Sequence, residues 1–209
     1  MEQPRDFTIA PLPGDDPGAV EELARIYETA IPAAERKPLA ALLSDRACQV
    51  IVGRAGGRVV GFAIVRTGAA ADLLEYMAVA SAARGAGLGT DLYLAARALA
   101  AGGARPLLIE VDSDREPAPD AAMRSRRKAF YRRLGGREVQ GLDYVLPLSA
   151  GGAPPRMDLM VDRWAGASVP RAVLQGWLRD IYSNAYGQRP DDPRIIAMVR
   201  DLADRVPIV

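Results

Sequence analysis

The stretch from Leu73 to Gly102 constrains the fold of this chain more than any other. It begins with a short apolar run, residues 73–79, whose length and bulky side chains predict a strand buried on both faces. A glycine-rich turn follows over residues 84–90, and the next apolar residues recur at helical spacing as far as Gly102 and Gly103. The predicted unit is therefore a strand, a glycine turn and a helix.

The glycine turn reads Arg84-Gly85-Ala86-Gly87-Leu88-Gly89-Thr90. Glycines let a backbone approach a ligand closely, and a turn that leads into a helix directs N–H groups and the positive end of the helix dipole to one spot. A Rossmann turn would have its third glycine where Thr90 stands, and the Gly-Lys-Ser/Thr ending of a P-loop is missing. The sequence therefore predicts a phosphate-binding turn of another type.

A second motif lies about forty residues further along the chain. Residues 124–134 predict a helix that is dense in arginine and ends at Gly135-Gly136. It contains the run Lys128-Ala129-Phe130-Tyr131-Arg132-Arg133-Leu134-Gly135. Between the motifs, residues 106–111 predict a buried strand that a helical crossover connects to the strand at 73–79, so these two strands are expected to be parallel.

Together the two motifs resemble those of the GNAT superfamily of N-acetyltransferases. Arg84, Gly87 and Gly89 match the pyrophosphate-binding pattern Q/R-x-x-G-x-G/A, and Tyr131 matches the tyrosine of the pattern (F/L)-Y-x-x-L-G-F. The chain departs from the family at Gly136, where phenylalanine is usual. It also departs at Arg124, where many members carry an asparagine that contacts the pantetheine arm.

The resemblance implies an α/β fold with a mixed sheet, in which residues 1–165 form an acyl-CoA N-acyltransferase domain and residues 166–209 a helical C-terminal extension. Acetyl-CoA would be the co-substrate, with its pantetheine arm hydrogen-bonded to the backbone of the first parallel strand like an added strand. The implied contacts of that arm are Met77, Ala78 and Val79. The implied contacts of the pyrophosphate are Arg84, Gly85, Ala86, Gly87, Leu88, Gly89 and Thr90.

The reaction implied is direct attack of a primary amine on the thioester in a ternary complex, since no convincing covalent nucleophile is present. By resemblance, Tyr131 is the general acid that protonates the leaving thiolate. The base must be a carboxylate or a water relay, because the chain has no histidine. Glu75 and Glu110 are the candidates: both stand in apolar strands, where burial could raise a carboxyl pKa, and both occupy places similar to those of catalytic glutamates in the family. Each could instead lie at an open strand end or pair with an arginine of the helix at 124–133.

The composition excludes several other kinds of protein. Without histidine and with a single cysteine, Cys48, the chain cannot form a Cys/His zinc site or a histidine-based triad, and we expect no metal. The formal net charge of +1 gives no overall attraction to nucleic acid or to a membrane. We expect a cytoplasmic protein, because no apolar run reaches the length of a membrane span and residues 1–6 do not begin a signal peptide. Cys48 is interpreted as a small core residue.

The remaining segments predict structure without a functional motif. The expected elements are a strand at 7–9, a helix starting at Asp16-Pro17, a helix at 39–44, a hairpin of 49–52 and 58–65, strands at 139–146 and 157–161, and a loop at 149–155. In the tail, two amphipathic helices are expected, one with Val173, Leu174, Trp177, Leu178, Ile181 and Tyr182, the other with Ile195, Ile196, Val199, Leu202 and Val206. Their apolar faces should pack on the parent domain or, as the second choice, form a dimer contact.

Two other functions are consistent with these features. The chain could be a non-catalytic acyl-CoA-binding module that retains the phosphate turn, or the arginine-rich helix could bind nucleic acid. A solvated helix face, partly serving the 3′-phosphate of CoA, is the simpler interpretation of those arginines. For an enzyme, the acceptor would be a small-molecule or peptide amine that the sequence does not identify.

Overall fold

The computed structural model describes residues 7–100, 104–115, 117–147 and 156–209. The predicted helix end at Gly102-Gly103 and the predicted loop at 149–155 lie outside the described residues. The chain divides into two compact units, residues 1–67 with 74–102 and residues 68–73 with 103–209. The α/β fold class predicted from the sequence is confirmed, whereas the functional boundary after residue 165 stays a prediction.

The first unit combines an antiparallel sheet with three helices. Its elements are β1 (Phe7–Pro11), α1 (Pro17–Ala30), α2 (Leu39–Ser44), β2 (Cys48–Ala55), β3 (Arg58–Arg66), β4 (Asp72–Val79, from Leu74 onward in this unit) and α3 (Leu88–Leu99). The strands lie in the order β1-β2-β3-β4, and β1–β2 and β2–β3 pair antiparallel, which confirms the predicted hairpin. Helix α1 begins as its sequence predicts, because the Asp16 side chain accepts a hydrogen bond of 2.9 Å from the N–H of Ala19.

Two glycines in the sheet let α3 pack closely against it. Gly53 of β2 and Gly61 of β3 are partners in the strand register. A Cβ atom added to Gly53 would lie 2.6 Å from the Cδ1 atom of Leu88, and one added to Gly61 would lie 2.9 Å from the Cδ1 atom of Leu92. The backbone at these glycines therefore sets how near the start of α3, and with it the glycine turn, lies to the sheet.

Strand β4 is less buried than its apolar sequence suggests. Its first three residues, Asp72 to Leu74, are buried, but the five residues from Glu75 to Val79 are only half-buried. The prediction of a strand buried on both faces is therefore wrong for the second part of β4. The end of β4 that leads to the glycine turn is the part that keeps access to solvent.

The second unit is organised around one central strand. Its elements are β5 (Leu107–Asp112), α4 (Ala121–Arg133), β6 (Arg137–Glu138), β7 (Tyr144–Val145), β8 (Arg156–Asp162), β9 (Ser168–Pro170), α5 (Arg171–Asp180), α6 (Pro193–Val199) and β10 (Arg205–Pro207). Strand β8 pairs antiparallel with β5, β6 and β7. The single strand predicted over 139–146 is wrong: β6 and β7 are two short strands, and Gly141 between them has a φ of 73°.

The tail packs on its own unit. Trp177 and Leu178 of α5 and Ile195 of α6 share one buried core with Leu108 of β5 and Leu159 of β8. This packing confirms the preferred expectation for the amphipathic faces. Within the described ranges, no helix has both the length and the apolar character that crossing a membrane would require.

The tail is not wholly helical, in contrast to the prediction. Val206, predicted to lie in the second amphipathic helix, belongs to β10, which pairs antiparallel with β9. Helix α6 ends at Val199. Helix α5 continues into a π-helical turn, Ile181–Ala185, so its apolar residues Ile181 and Tyr182 lie in wider helical geometry than the periodicity predicted.

Candidate functional site

The glycine turn has the backbone conformation that its glycines permit. Gly85 has a φ of 85° and Gly87 a φ of 92°, both in the left-handed region that is costly for other residues. Gly87 is also the residue that caps the start of α3. The first N–H groups of a helix have no partner within that helix, so those of α3 point toward the turn. Leu88 is buried and can offer only its backbone to a ligand, whereas Arg84 is exposed.

The turn is held against the end of β4. The Nε atom of Arg84 donates a hydrogen bond of 3.3 Å to the carbonyl oxygen of Val79, the last residue of the strand. Met77 and Ala78, the other two residues predicted to contact the pantetheine arm, directly precede it and are half-buried. The two predicted cofactor-binding segments are therefore joined by this contact within the first unit.

Glu75 lies between two cations. Its side chain is only 4% exposed, and its carboxylate forms ion pairs with Lys37 and, at 2.7 Å, with Arg66 of β3. The Sγ atom of Cys48 lies 3.8 Å from the Oε2 atom of Glu75. The predicted alternative, pairing with an arginine of the helix at 124–133, is wrong, because neither cation belongs to that helix. The sequence did not indicate Lys37 or Arg66, which lie 38 and 9 residues from Glu75.

Cys48 has the character of a packing residue. It begins β2 and lies partly buried at the edge of the core formed by α1, β2 and β3. Burial, with the nearby carboxylate of Glu75, raises the pKa of the Cys48 thiol to about 11, although Arg66 acts in the opposite direction. The thiol is therefore protonated near neutral pH, which is consistent with the expectation that Cys48 is not a nucleophile.

Glu110 is surrounded by tyrosines of its own unit. It is half-buried in β5, and its carboxylate accepts a hydrogen bond from the hydroxyl of Tyr144 on one oxygen and, at 2.8 Å, from the hydroxyl of Tyr186 on the other. Both tyrosines lie far from it in the sequence, so sequence reasoning missed them. Tyr144 also lines a pocket of about 200 Å³, whose lining includes Arg115 and Asp158.

Tyr131 lies buried in the last turns of α4. The N–H of Gly136 donates a hydrogen bond of 2.9 Å to the carbonyl oxygen of Tyr131, and a Cβ atom at Gly136 would lie 3.1 Å from that oxygen. In this structure a side chain at position 136 would therefore crowd the end of α4, where the resemblance leads one to expect phenylalanine. Burial raises the pKa of Tyr131 to about 12, while the charge of Arg127 acts to lower it. The phenol is therefore protonated near neutral pH and suited to donate a proton rather than to accept one.

Several basic residues of α4 are paired with carboxylates. Lys128 has a side chain that is 3% exposed, and its Nζ atom lies 2.8 Å from an oxygen of each of Asp114, Glu138 and Asp158. The expectation of a solvated face is therefore wrong for Lys128. Other cations in or near α4 are also paired with carboxylates, which reduces the charge available to nucleic acid. They are Arg127 on Asp112, Arg132 on Glu138, and Arg115 on Glu138 and Asp158.

We expect this network to give stability that depends on pH at both ends of the scale. Hydrogen bonding to Lys128 lowers the pKa of Asp114, and hydrogen bonds from Lys128 and Arg115 outweigh burial to lower the pKa of Glu138. These carboxylates contribute fully to the free energy of unfolding when the pH is above the ordinary carboxyl pKa of about 4. Their contribution is lost as the pH falls through the lowered pKa values of the folded state. The three carboxylates outweigh burial to raise the pKa of Lys128, so its contribution is present below about pH 10.4 and is lost above.

Urea unfolding between pH 2 and pH 7 tests the expected loss of stability at low pH. The free energy of unfolding should rise with pH below about pH 4, where the unfolded chain binds more protons than the folded chain. In a Lys128→Met variant, the carboxylates lose their buried cation, and this rise should diminish or reverse. If the free energy of unfolding falls identically with decreasing pH in the two proteins, the network around Lys128 does not determine that fall.

Within the described part of the chain, no group of three or more cysteine, aspartate or glutamate side chains is arranged to hold a metal ion.

Residues 46–135 match the family model for the acetyltransferase (GNAT) domain. No curated protein matches the chain.

Solved structures show the same fold at low sequence identity. A protein from Bacteroides thetaiotaomicron assigned to the GNAT acetyltransferases has a TM-score of 0.71 and 21% identity, covering 87% of this chain and 99% of that chain. Ard1 from Thermoplasma volcanium has a TM-score of 0.55 and 19% identity, and the match covers 75% of this chain and 96% of Ard1. A GNAT family acetyltransferase from Elizabethkingia anophelis, solved with acetyl-CoA bound, has a TM-score of 0.51 and 14% identity, with 75% and 97% covered.

The family match extends from the start of the β2–β3 hairpin to the glycine that follows α4. It therefore includes the glycine turn and Tyr131, the two features on which the sequence resemblance depends. Over residues 46–135 the chain is therefore similar to the acetyltransferase (GNAT) domain, and it shares the fold of solved GNAT acetyltransferases.

Proposed function

We propose that the protein is an acetyl-CoA-dependent N-acetyltransferase that transfers an acetyl group to a primary amine. The observation that carries this proposal is the turn at 84–90, where two left-handed glycines lead into α3 and Arg84 holds the turn against the end of β4. Such a turn suits a pyrophosphate, because small residues and N–H groups at a helix start allow close approach of an anion. The relative from Elizabethkingia anophelis binds acetyl-CoA on the same fold, which supports this choice of donor.

In this proposal the cofactor contacts are those of the first unit. The backbone N–H groups of residues 85–89 and the guanidinium of Arg84 would hold the pyrophosphate. The N–H of Thr90 donates a hydrogen bond of 2.9 Å to the carbonyl oxygen of Gly87, so Thr90 would contribute through its side chain. The half-buried backbone of Met77, Ala78 and Val79 would bind the pantetheine arm, which needs no particular side chain there.

The chemistry proposed is direct transfer. The amine nitrogen forms a bond to the thioester carbon, the carbon–sulfur bond breaks, the amine proton passes to a base, and the leaving thiolate receives a proton from Tyr131. A protonated phenol meets the requirement for the acid, since burial raises the pKa of Tyr131. A covalent acetyl-enzyme on Cys48 is disfavoured, because its thiol is protonated near neutral pH.

For the base we propose Glu110 rather than Glu75. The carboxylate of Glu75 is buried between Lys37 and Arg66, an arrangement typical of a structural ion pair. Glu110 is half-buried, a phenol donates a hydrogen bond to each of its two oxygens, and Tyr144 connects it to the lining of the 200 Å³ pocket. A hydrogen bond from a neutral phenol does not cancel the negative charge of the carboxylate, and a base needs that charge to accept a proton.

The first test is thermal unfolding with and without acetyl-CoA. At about a hundred times its dissociation constant, the ligand should stabilise the fold by about 2.7 kcal/mol, which corresponds to a rise in Tm on the order of 5–10 °C. In a Gly87→Leu variant this rise should disappear, because the left-handed conformation is strained and a side chain now stands in the turn.

A Gly57→Leu variant is the matched control. Gly57 also has a positive φ, 81°, but it lies in the turn of the β2–β3 hairpin, so the substitution imposes similar backbone strain away from the glycine turn. This variant should melt at a lower temperature yet retain the rise with acetyl-CoA. If acetyl-CoA, CoA and longer acyl-CoAs all leave the melting temperature of the unmodified protein unchanged, the proposed function is refuted.

A further inference from the structure

The tail of the chain reaches the candidate base. Tyr186, which follows the π-helical turn after α5, donates its hydroxyl proton to the Oε2 atom of Glu110 over 2.8 Å. It lies 76 residues from Glu110 in the sequence and outside residues 46–135, the range of the family match. The Oε1 atom of Glu110 accepts a hydrogen bond from Tyr144 of β7. The two oxygens of one carboxylate are therefore each bound by a phenol.

Tyr186 is placed by a well-anchored segment. Tyr182, four positions earlier, is fully buried, and its hydroxyl donates a hydrogen bond of 2.5 Å to the carbonyl oxygen of Val145. The N–H of Gln188, two positions after Tyr186, donates a hydrogen bond of 2.8 Å to the carbonyl oxygen of Tyr182. These bonds on either side of Tyr186 fix the backbone that presents its hydroxyl to Glu110.

The titratable groups around Glu110 belong to three elements. Tyr144 comes from β7, and Tyr182 and Tyr186 come from the tail. Beyond the aromatic side chain of Tyr182 lies the guanidinium of Arg194 in α6, at 5.4 Å, which is paired with Asp192. Burial and the charge of Glu110 raise the pKa of Tyr144 well above its usual value, so this phenol is a protonated donor at neutral pH.

We propose that Tyr186, together with Tyr144, is a positioning residue that keeps the Glu110 carboxylate ionised and oriented to accept the proton of the amine. The inference rests on the proposed acetyl transfer and on Glu110 as its base. Hydrogen bonds to the charged form of a carboxyl favour that form, and one donor on each oxygen fixes the carboxylate plane. The tail is then part of the catalytic apparatus, as well as a cover for the apolar face of the sheet.

The test follows the titration of Glu110 in the full chain by NMR, with ¹³C in the side-chain carboxyl groups of glutamate. The Glu110→Gln variant identifies the resonance by its loss. In Tyr186→Phe, which keeps the aromatic side chain and removes only the donor, the pKa of Glu110 should rise by about one unit. The matched control is Tyr27→Phe, which removes a buried phenol of the first unit that donates a hydrogen bond of 3.0 Å to the backbone carbonyl of Lys37, and it should leave the Glu110 titration where it was.

A second readout uses any amine that the unmodified protein acetylates. The acidic limb of the pH profile of kcat/KM should move upward by the same amount, about one unit, in Tyr186→Phe and should stay in place in Tyr27→Phe. A purely structural role of Tyr186 would lower the melting temperature without moving this limb.

The outcomes separate this inference from the proposed function. If the Glu110 titration is unchanged in Tyr186→Phe, the inference is overturned even when acetyl-CoA stabilises the protein and an amine is acetylated. A Glu110→Gln variant that turns over as fast as the unmodified protein also overturns it, with acetyl-CoA binding intact. Failure of acetyl-CoA to stabilise the protein refutes the proposed function by a measurement that does not involve the tail.

Discussion

Replacement of Lys128 by methionine is expected to lower the free energy of unfolding by about 3–5 kcal/mol. Methionine retains most of the side-chain volume but removes the charge that three carboxylates share. Asp158, whose side chain is 0% exposed, and Glu138, at 5%, would then lose a buried cation at 2.8 Å. Arg115 still contacts both carboxylates and Arg132 still contacts Glu138, so the cluster of three carboxylates is left one positive charge short. A missing buried charge is among the largest costs that a single substitution can impose, and urea unfolding at pH 7 measures it.

An Arg126→Met variant is the matched control for this experiment. Arg126 stands in the same helix, two positions before Lys128, and is exposed. Its replacement should change the free energy of unfolding by about 0.5 kcal/mol or less. Equal losses in the two variants would mean that the helix, rather than the buried ion pairs, determines the effect.

Replacement of Tyr131 by phenylalanine is expected to reduce turnover by about 10²- to 10⁴-fold, the usual contribution of a positioned general acid. The substitution removes only the hydroxyl that would protonate the leaving thiolate. The increase in melting temperature with acetyl-CoA should remain, because the proposed cofactor contacts lie at residues 77–79 and 84–90. Release of CoA with a panel of peptides, lysine derivatives, polyamines, aminoglycosides and small amines measures turnover.

Phe130→Leu provides the control for packing around Tyr131. The two aromatic side chains are in edge contact, with centroids 5.1 Å apart, so this substitution disturbs the same packing and leaves the phenol in place. It should retain most of the turnover. Turnover of Tyr131→Phe equal to that of the unmodified protein would make Tyr131 a packing residue. Binding of acetyl-CoA with no amine acetylated by the unmodified protein would favour the non-catalytic acyl-CoA-binding module.

Local features of the fold followed from the sequence. The glycine turn, the Asp16 cap of α1 and the β2–β3 hairpin each depend on residues within a few positions of one another, where backbone sterics and short-range hydrogen bonds determine the outcome. Tyr131 could be singled out for a similar reason, since the glycines that follow α4 lie only four and five positions after it. Periodicity also placed the apolar faces of the tail, although Val206 adopted a strand because pairing with β9 outweighed its helical spacing.

By itself, the sequence determined the strand, the glycine turn and the helix, and the two motifs that resemble those of the GNAT superfamily. The tertiary structure alone decided which partner each buried charge received. Lys37 and Arg66 meet Glu75, three carboxylates meet Lys128, and two phenols meet Glu110, the farther of them from 76 residues away. The physical reason is that a buried charge needs a partner, and the packing of strands and helices decides which distant residue provides it. The spacing of residues along the chain does not reveal that packing.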